Sequence, residues 1–256
     1  MSKNPRSEEM VIGVLGGMGP QAGIDFLSKL VAATPFTCEQ DHLHVLLDSN
    51  PKVPDRNRAI AAAYSRPLRA DENPGNALAA MAQRLEVAGA DLLVMACNTA
   101  HAFQADIRAA TRVPFVSIVD EACDAVVRET PGVKRVGILA TQGCISAELY
   151  QQALLHRRCE PLLLPPQRQE RCMQLIYQIK LGGISNELTG EMIELARALT
   201  IAGADAIIAG CTEIPLILHP GMLPCTLIDA TANLARQCVR YARRLAPLPL
   251  SCFSNQ

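Results

Sequence analysis

One pattern occurs twice in this chain, 114 residues apart, and each copy ends in a cysteine. The first copy reads Ala88-Gly89-Ala90-Asp91, then the apolar run Leu92-Leu93-Val94-Met95-Ala96, then Cys97-Asn98-Thr99. The second reads Ala202-Gly203-Ala204-Asp205, then Ala206-Ile207-Ile208-Ala209-Gly210, then Cys211-Thr212-Glu213. A short apolar run between turn residues is the mark of a buried parallel strand. Ahead of the first run, Leu78, Met81, Ala82 and Leu85 recur at helical spacing. Residues 191–201 match that segment, with Ala196 aligned to Ala82 and Leu199 to Leu85. Helix and strand align in both copies without a gap, so the chain is constrained to two similar α/β halves.

The other segments fit the same rhythm. Residues 11–15 read as a strand, followed by the turn Gly16-Gly17-Met18-Gly19-Pro20 and a helix through Phe26, Leu27, Leu30 and Val31. Proline is favoured in the first helical turn. Residues 44–47 read as a second strand, running into Asp48-Ser49-Asn50-Pro51 and on to Pro54-Asp55-Arg56. The pattern predicts a strand over 113–119 and a helix over 120–128. Residues 135–143 then echo 10–17, residues 161–167 read as a loop, and a last helix over about 230–243 returns to the first half. Strands alternating with helices imply parallel sheets built from βαβ units.

Composition removes several function classes. With 24 basic and 25 acidic residues and no long basic stretch, neither nucleic acid nor a membrane surface is an expected partner. The N-terminal segment is polar, and the apolar run after it breaks at Gly16-Gly17, too short for a signal core or a membrane span. Ten cysteines scattered through a chain without an export signal are expected to be reduced thiols in a cytoplasmic protein. With no Trp and nine Phe plus Tyr, the core must be mostly aliphatic.

Buried cysteines are commonly small hydrophobes. Cys38, Cys123, Cys159, Cys172, Cys225, Cys238 and Cys252 are read that way, and Cys144, which also follows a strand, is intermediate. Cys97 and Cys211 stand apart because each follows a strand and precedes polar residues. Ligands of open α/β sheets bind outside the carboxyl ends of the strands. Two thiols at equivalent strand ends, one per half, therefore suit a cleft in which one carbon receives an acid on one face and a base on the other. A free cysteine is only roughly 3% thiolate at neutral pH. The unpaired amides of a helix start lower its pKa. Asn98 and Thr99 fit as caps of a helix through Phe103, Ile107 and Ala110, and Thr212 fits the same part after Cys211. Such a thiol is matched to proton exchange near pH 7. His101, four residues after Cys97, is placed to cap or pack beneath the thiol rather than to transfer its proton.

Gly16-Gly17-Met18-Gly19-Pro20, Cys97-Asn98-Thr99-Ala100-His101 and Gly210-Cys211-Thr212-Glu213 together resemble the signatures of the aspartate/glutamate racemase superfamily. The likeness covers almost the whole chain, and Pro54-Asp55-Arg56 draws it toward the aspartate racemase branch. The resemblance implies a racemase that needs neither pyridoxal phosphate nor metal, interconverts L- and D-aspartate or glutamate, and is commonly a dimer. It implies that one of Cys97 and Cys211 takes the α-proton as thiolate while the other reprotonates the opposite face. By the same resemblance Met18 lies at the substrate site, Asn98, Thr99, Ala100 and Thr212 hold the α-carboxylate, and Arg56 binds a side-chain carboxylate. Lys180, after Ile176-Tyr177, stands where the family often carries a second cation. Glu213 orients the site, holds the substrate ammonium or pairs with a basic side chain. Cys144 stands where aspartate-specific members often have Thr, and Gln142 is also unusual, which leaves glutamate or a broader substrate range open. The implied architecture is two pseudosymmetric α/β domains, each a parallel sheet flanked by helices, with the active site in the cleft between them. Residues 1–113 with 225–256 form the first domain and 114–224 the second.

Other readings compete. Gly17, Gly19 and Ala22 after a strand, with Asp48 ending the next, fit a loose dinucleotide fingerprint and hence a NAD-binding oxidoreductase, although Pro20 interrupts it. Cys97, His101, Cys211 and Glu213 together read as a metal site, without a CxxC knuckle to support it. A superfamily decarboxylase or isomerase using one cysteine is a nearer alternative, and a non-catalytic small-molecule binder is the plainest one. Paired thiols favour racemisation, which must protonate either face.

Overall fold

The computed structural model describes residues 9–252. Strands β1 (Ile12–Gly16), β2 (Val45–Ser49), β3 (Leu92–Met95) and β4 (Phe115–Val116) form a parallel sheet in the order β2-β1-β3-β4. Strands β5 (Arg135–Ala140), β6 (Glu160–Leu162), β7 (Ala206–Gly210) and β8 (Thr226–Asp229) repeat that order as β6-β5-β7-β8, again all parallel. The helices are α1 (Pro20–Ala33), α2 (Arg56–Ala63), α3 (Pro74–Val87), α4 (Gln104–Ala110), α5 (Ile118–Glu129), α6 (Gln142–Ser146), α7 (Leu149–His156), α8 (Pro166–Lys180), α9 (Asn186–Ile201) and α10 (Ala230–Ala242). None of the described helices is long and apolar enough to cross a membrane.

The duplicated motif folds the same way twice. Helices α3 and α9 end at Gly89 and Gly203, with φ of +94° and +95°, where a side chain would be strained. In both, the next amide reaches back five residues, Ala90 to the Leu85 carbonyl and Ala204 to that of Leu199, each at 3.0 Å. This is the hydrogen-bond pattern of a glycine-terminated helix end. The aspartate that follows fastens the motif to the central strand. Asp91 accepts from the Val11 amide at 2.9 Å, and Asp205 accepts from the Lys134 and Arg135 amides at 2.9 Å. Each apolar run then enters the sheet beside β1 or β5, buried along its whole length.

The layers explain that burial. One face of each sheet shares a single core: Ile12, Val14, Leu92 and Val94 from the first sheet join Val136, Ile138 and Ile208 from the second through α1, α5, α7 and α10. The outer face of the first sheet packs on α3 and α4 through Leu78, Met81, Leu85 and Ile107, and that of the second packs on α8 and α9 through Ile176, Met192 and Leu199. Strands covered on both faces read as unbroken apolar runs, as seen in the sequence. Helix α10 packs on α1 and α5, so the last helix returns to the first half as expected.

Three segments differ from the sequence expectation. The strand expected over 113–119 is only the two-residue β4, because Ser117 accepts from the Asp120 amide at 3.3 Å and starts α5 at Ile118. The loop expected over 161–167 contains β6 and the start of α8. Pro161 is tolerated there because β6 is an edge strand. Sheet membership also crosses the expected boundaries at 113/114 and 224/225, since β4 pairs with β3 and β8 with β7. A two-residue strand carries too little periodicity to mark such a crossing.

Candidate active site

Each thiol lies just past the carboxyl end of a central strand. Cys97 follows β3 after Ala96, whose amide donates to the Leu15 carbonyl at 3.0 Å. Cys211 directly follows Gly210, which ends β7 beside Ala140 of β5. Both are 4% exposed, in separate core clusters, one belonging to each half. The two halves meet at this point. Thr99 Oγ1 hydrogen-bonds Thr141 Oγ1 at 2.7 Å, and Asn57 Oδ1 accepts from the Gly143 amide at 2.8 Å. A Cβ built on Gly19 would stand 3.6 Å from Glu213 Oε1.

The Cys97 loop is held from below by His101. Its Nε2 accepts from the Ile118 amide at 3.2 Å, which leaves Nδ1 to donate to the Cys97 carbonyl at 2.8 Å. Burial, the largest influence, lowers its pKa from 6.5 to about 4, against backbone hydrogen bonds with Cys97 and Asn98 that raise it. The ring is therefore neutral and fully engaged by backbone. It positions Cys97, as expected, and has no nitrogen free to ligate a metal. Residues Asn98, Thr99 and Ala100 begin a short 3-10 helix over Thr99–Phe103, which continues directly into α4, and all three are buried.

The Cys211 loop carries the charge. Cys211 Sγ donates to Glu213 Oε2 at 2.9 Å, Thr212 Oγ1 donates to the same oxygen at 3.3 Å, and Lys180 Nζ lies 3.8 Å from Glu213 Oε1. Burial and then the Glu213 carboxylate push the Cys211 thiol up, while Lys180 pulls the other way. Burial disfavours the Lys180 ammonium, but Cys211, Glu213 and Cys97 outweigh it and raise its pKa, with Arg56 opposing. Both thiols, Glu213 and Arg56 thus all bear on the charge of Lys180.

Two buried polar atoms there lack hydrogen-bond partners among the described residues. They are Asn98 Nδ2, a donor, and Glu213 Oε1, an acceptor whose nearest cation is Lys180. Arg56 contributes a third, Nε, while Nη1 donates to the Val53 and Pro54 carbonyls at 3.2 and 3.0 Å and Nη2 to the Met18 carbonyl at 3.3 Å. Met18 is buried and joins Cys97 and Ala100 in one cluster. Of the ten sequence-selected residues, contacts thus join Arg56 to Met18 and Met18 to the Cys97 and Ala100 cluster, and join Cys211, Thr212 and Lys180 to Glu213. Arg56, however, spends much of its guanidinium on loop carbonyls, which the sequence did not foresee. Gly17, read as a possible dinucleotide glycine, has φ +89° and is pressed against the backbone of Ser49 and Asn50. Its bare face receives the chain's own β2 loop rather than a phosphate.

Sequence reasoning missed Asn57, Thr141, Gly143 and Tyr150. Tyr150 OH donates to Asn98 Oδ1 at 2.6 Å, from a wholly buried ring. The space it occupies coincides with a break in the repeat. Ala96 in the first copy becomes Gly210 in the second, where a Cβ would stand 2.7 Å from Tyr150 Cε2.

Comparison with known proteins agrees with this geometry. The family model for Asp/Glu/hydantoin racemase matches residues 15–238. The broad specificity amino-acid racemase RacX of Bacillus subtilis (strain 168) is 29% identical over 237 residues, covering 90% of this chain and 96% of that protein. A glutamate racemase of Roseiflexus sp. (strain RS-1) is 36% identical over 170 residues, 65% of this chain and 54% of its own. Among solved structures, Picrophilus torridus aspartate racemase superposes with a TM-score of 0.74 at 27% identity, covering 93% of this chain and 100% of that one. With repeat, sheet order and strand-end thiols all in agreement, the chain belongs to the Asp/Glu/hydantoin racemase family and has the two-domain α/β fold of its racemases.

Proposed function

We propose that the protein interconverts the enantiomers of an amino acid by a two-thiol mechanism that needs no cofactor, with acidic amino acids as the leading substrates. The observation that carries this reading is the set of groups converging between the two strand ends. A thiol follows each central strand, Thr99 beside Cys97 bonds Thr141 of the other half, Glu213 joins Cys211 to Lys180, and Asn98 Nδ2 and Glu213 Oε1 are buried without hydrogen-bond partners among the described residues. An amino acid complements that set. Its carboxylate meets Asn98 Nδ2 and the start of the Thr99–Phe103 helix, with Thr99, Ala100 and Thr212 around it. Its ammonium faces Glu213 Oε1. Anions suit a helix start because its amides are unpaired.

The α-carbon then lies between the sulfurs. Cys97 as thiolate takes the α-proton, and the electron pair passes into the carboxylate, where the unpaired amides of the Thr99–Phe103 helix start stabilise the added charge. Cys211 gives its proton to the opposite face. The enzyme is left with Cys97 as thiol and Cys211 as thiolate, ready for the reverse reaction. Glu213, hydrogen-bonded to Cys211, is placed to take that proton when the other enantiomer binds. The Nε–H of Arg56 serves a side-chain carboxylate, with Met18 fixing the guanidinium through its carbonyl. The partial use of Arg56 and the likeness to a broad-specificity racemase both favour a range wider than aspartate alone.

The test is a panel of enantiopure amino acids incubated in deuterated water, with chirality and label read together. Label entering one or more amino acids as optical rotation decays is the expected result, and it should survive hydroxylamine, which destroys pyridoxal chemistry. Cys97→Ala and Cys211→Ala should each abolish racemisation. Each should retain α-hydrogen exchange of one enantiomer, a different one in each variant. Cys211→Ala racemising at the parent rate would overturn the two-thiol scheme, and release of carbon dioxide instead would favour a decarboxylase.

A further inference from the structure

Tyr150 lies 52 residues from Asn98 in sequence, in the other half of the molecule, yet its phenol donates to the Asn98 carboxamide oxygen at 2.6 Å. That bond occupies the oxygen end of the amide. The NH2 end, equally buried, has no hydrogen-bond partner among the described residues. A carboxamide held the other way would present an oxygen to the substrate carboxylate and repel it. Burial raises the phenol pKa far above its usual value, so the group stays a donor at every working pH.

Two further features point to the same residue. The ring rests against Gly210, directly before Cys211, and any side chain at that position would strike it. The equivalent residue of the first copy, Ala96, carries a side chain, so the repeat loses its symmetry where Tyr150 needs room. The backbone is also bent to aim it. Glu148, two residues earlier, sits in the left-handed region at φ +52° between α6 and α7. Non-glycine residues adopt that region at a cost and do so where surrounding structure demands it.

We infer that Tyr150 is a positioning residue of the racemase site: its hydroxyl locks the Asn98 amide with the NH2 group facing the substrate carboxylate, while its ring spans the two thiol-bearing strand ends. This rests on the reading of the cleft as a racemase site. Tyr150→Phe keeps the ring and removes the lock. A lost hydrogen bond of this kind is expected to raise KM by about tenfold while kcat changes by less than about threefold. In the Asn98→Ala background the same substitution should change KM by less than about twofold, because the group it positions is gone. An unchanged KM in Tyr150→Phe, or an effect that adds in full to Asn98→Ala, would overturn the inference. A second readout does not need activity. In 15N-labelled protein the Asn98 NH2 pair, identified by its loss in Asn98→Ala, should be one sharp pair in the parent and shifted or doubled in Tyr150→Phe. An unchanged pair would overturn the role of Tyr150 even if no amino acid is racemised, whereas a parent that exchanges no α-hydrogen overturns only the racemase reading.

Discussion

Glu213 divides its two oxygens between two tasks. Oε2 receives the Cys211 thiol and the Thr212 hydroxyl, and Oε1 faces Lys180 and the cleft. Cys211 therefore rests as a thiol, raised first by burial and then by the carboxylate beside it. In the proposed mechanism, exchange driven by Cys211 sends its proton to Glu213, and exchange driven by Cys97 does not use that step. In the Cys97→Ala background, adding Glu213→Gln should slow saturated deuterium exchange by about a hundredfold, the usual scale of a lost general base. In the Cys211→Ala background the same change should act mainly on KM, through the substrate ammonium. Equal losses of kcat in both backgrounds would show that Glu213 is only a binding group. A companion outcome concerns Lys180, which lowers the Cys211 pKa. Lys180→Met should move the alkylation of Cys211 by iodoacetamide to higher pH. At this scale Cys97 and Cys211 stood out because they recur at one register of a repeat, and Asn98, Thr99 and Thr212 because they directly follow them. The Tyr150 and Asn57 contacts did not, since each joins residues more than fifty positions apart and no local pattern encodes them.

At the scale of elements, two buried titratable groups hold the helices around β3 and α10, and their pH responses oppose each other. His101, pinned between the Cys97 carbonyl and the Ile118 amide, has its pKa lowered by burial from 6.5 to about 4. The unfolded chain binds that proton first, so this contribution is present above about pH 6.5 and is lost as pH falls toward 4. Glu121 on α5 accepts from Tyr241 OH of α10 at 2.7 Å, and burial raises its pKa from 4.5 to about 7, with the Tyr241 bond opposing. Here the folded state holds the proton longer, so the contribution is full below about pH 4.5 and is lost as pH rises through 7. Each is on the order of 3 kcal/mol, and between about pH 4.5 and 6.5 they nearly cancel. Removing one exposes the other. Glu121→Gln should give a protein whose denaturant midpoint climbs steadily from pH 4.5 to 6.5, where the parent stays nearly flat. A variant as flat as the parent would mean that Glu121 does not titrate in this window. The sequence located α5 and α10 within two residues, because amphipathic helices declare themselves by spacing. It overextended the strand before α5, because Ile118 and Val119 are apolar enough to continue one and only the Ser117 cap ends it.

For the molecule as a whole, the duplication predicts two halves, yet packing does not leave them independent. One core runs from the inner face of the first sheet to that of the second, and Leu234 of α10, fully buried, belongs to it alongside Val14, Leu92, Ile138 and Ile208. Thr99–Thr141 and Asn57–Gly143 tie the same halves across the cleft. The sheets that carry the two thiols are thus fixed to one layer of helices, as the proposed two-thiol mechanism requires of thiols from separate cores. The repeat announced the strands and the thiols but not this layer, since α1, α5, α7 and α10 have no shared motif from which their joint packing could be read. If the layer is common, the halves unfold together. Leu234→Ala, which leaves a cavity worth about 2–5 kcal/mol at such a site, should lower the unfolding free energy of β1 and β5 amides by the same amount. Hydrogen exchange in low denaturant, read on Val14 in β1 and Ile138 in β5, measures both in one sample. A loss confined to β5, with β1 unchanged, would mean that the halves open separately and that the alignment of the thiols depends on the cleft contacts alone.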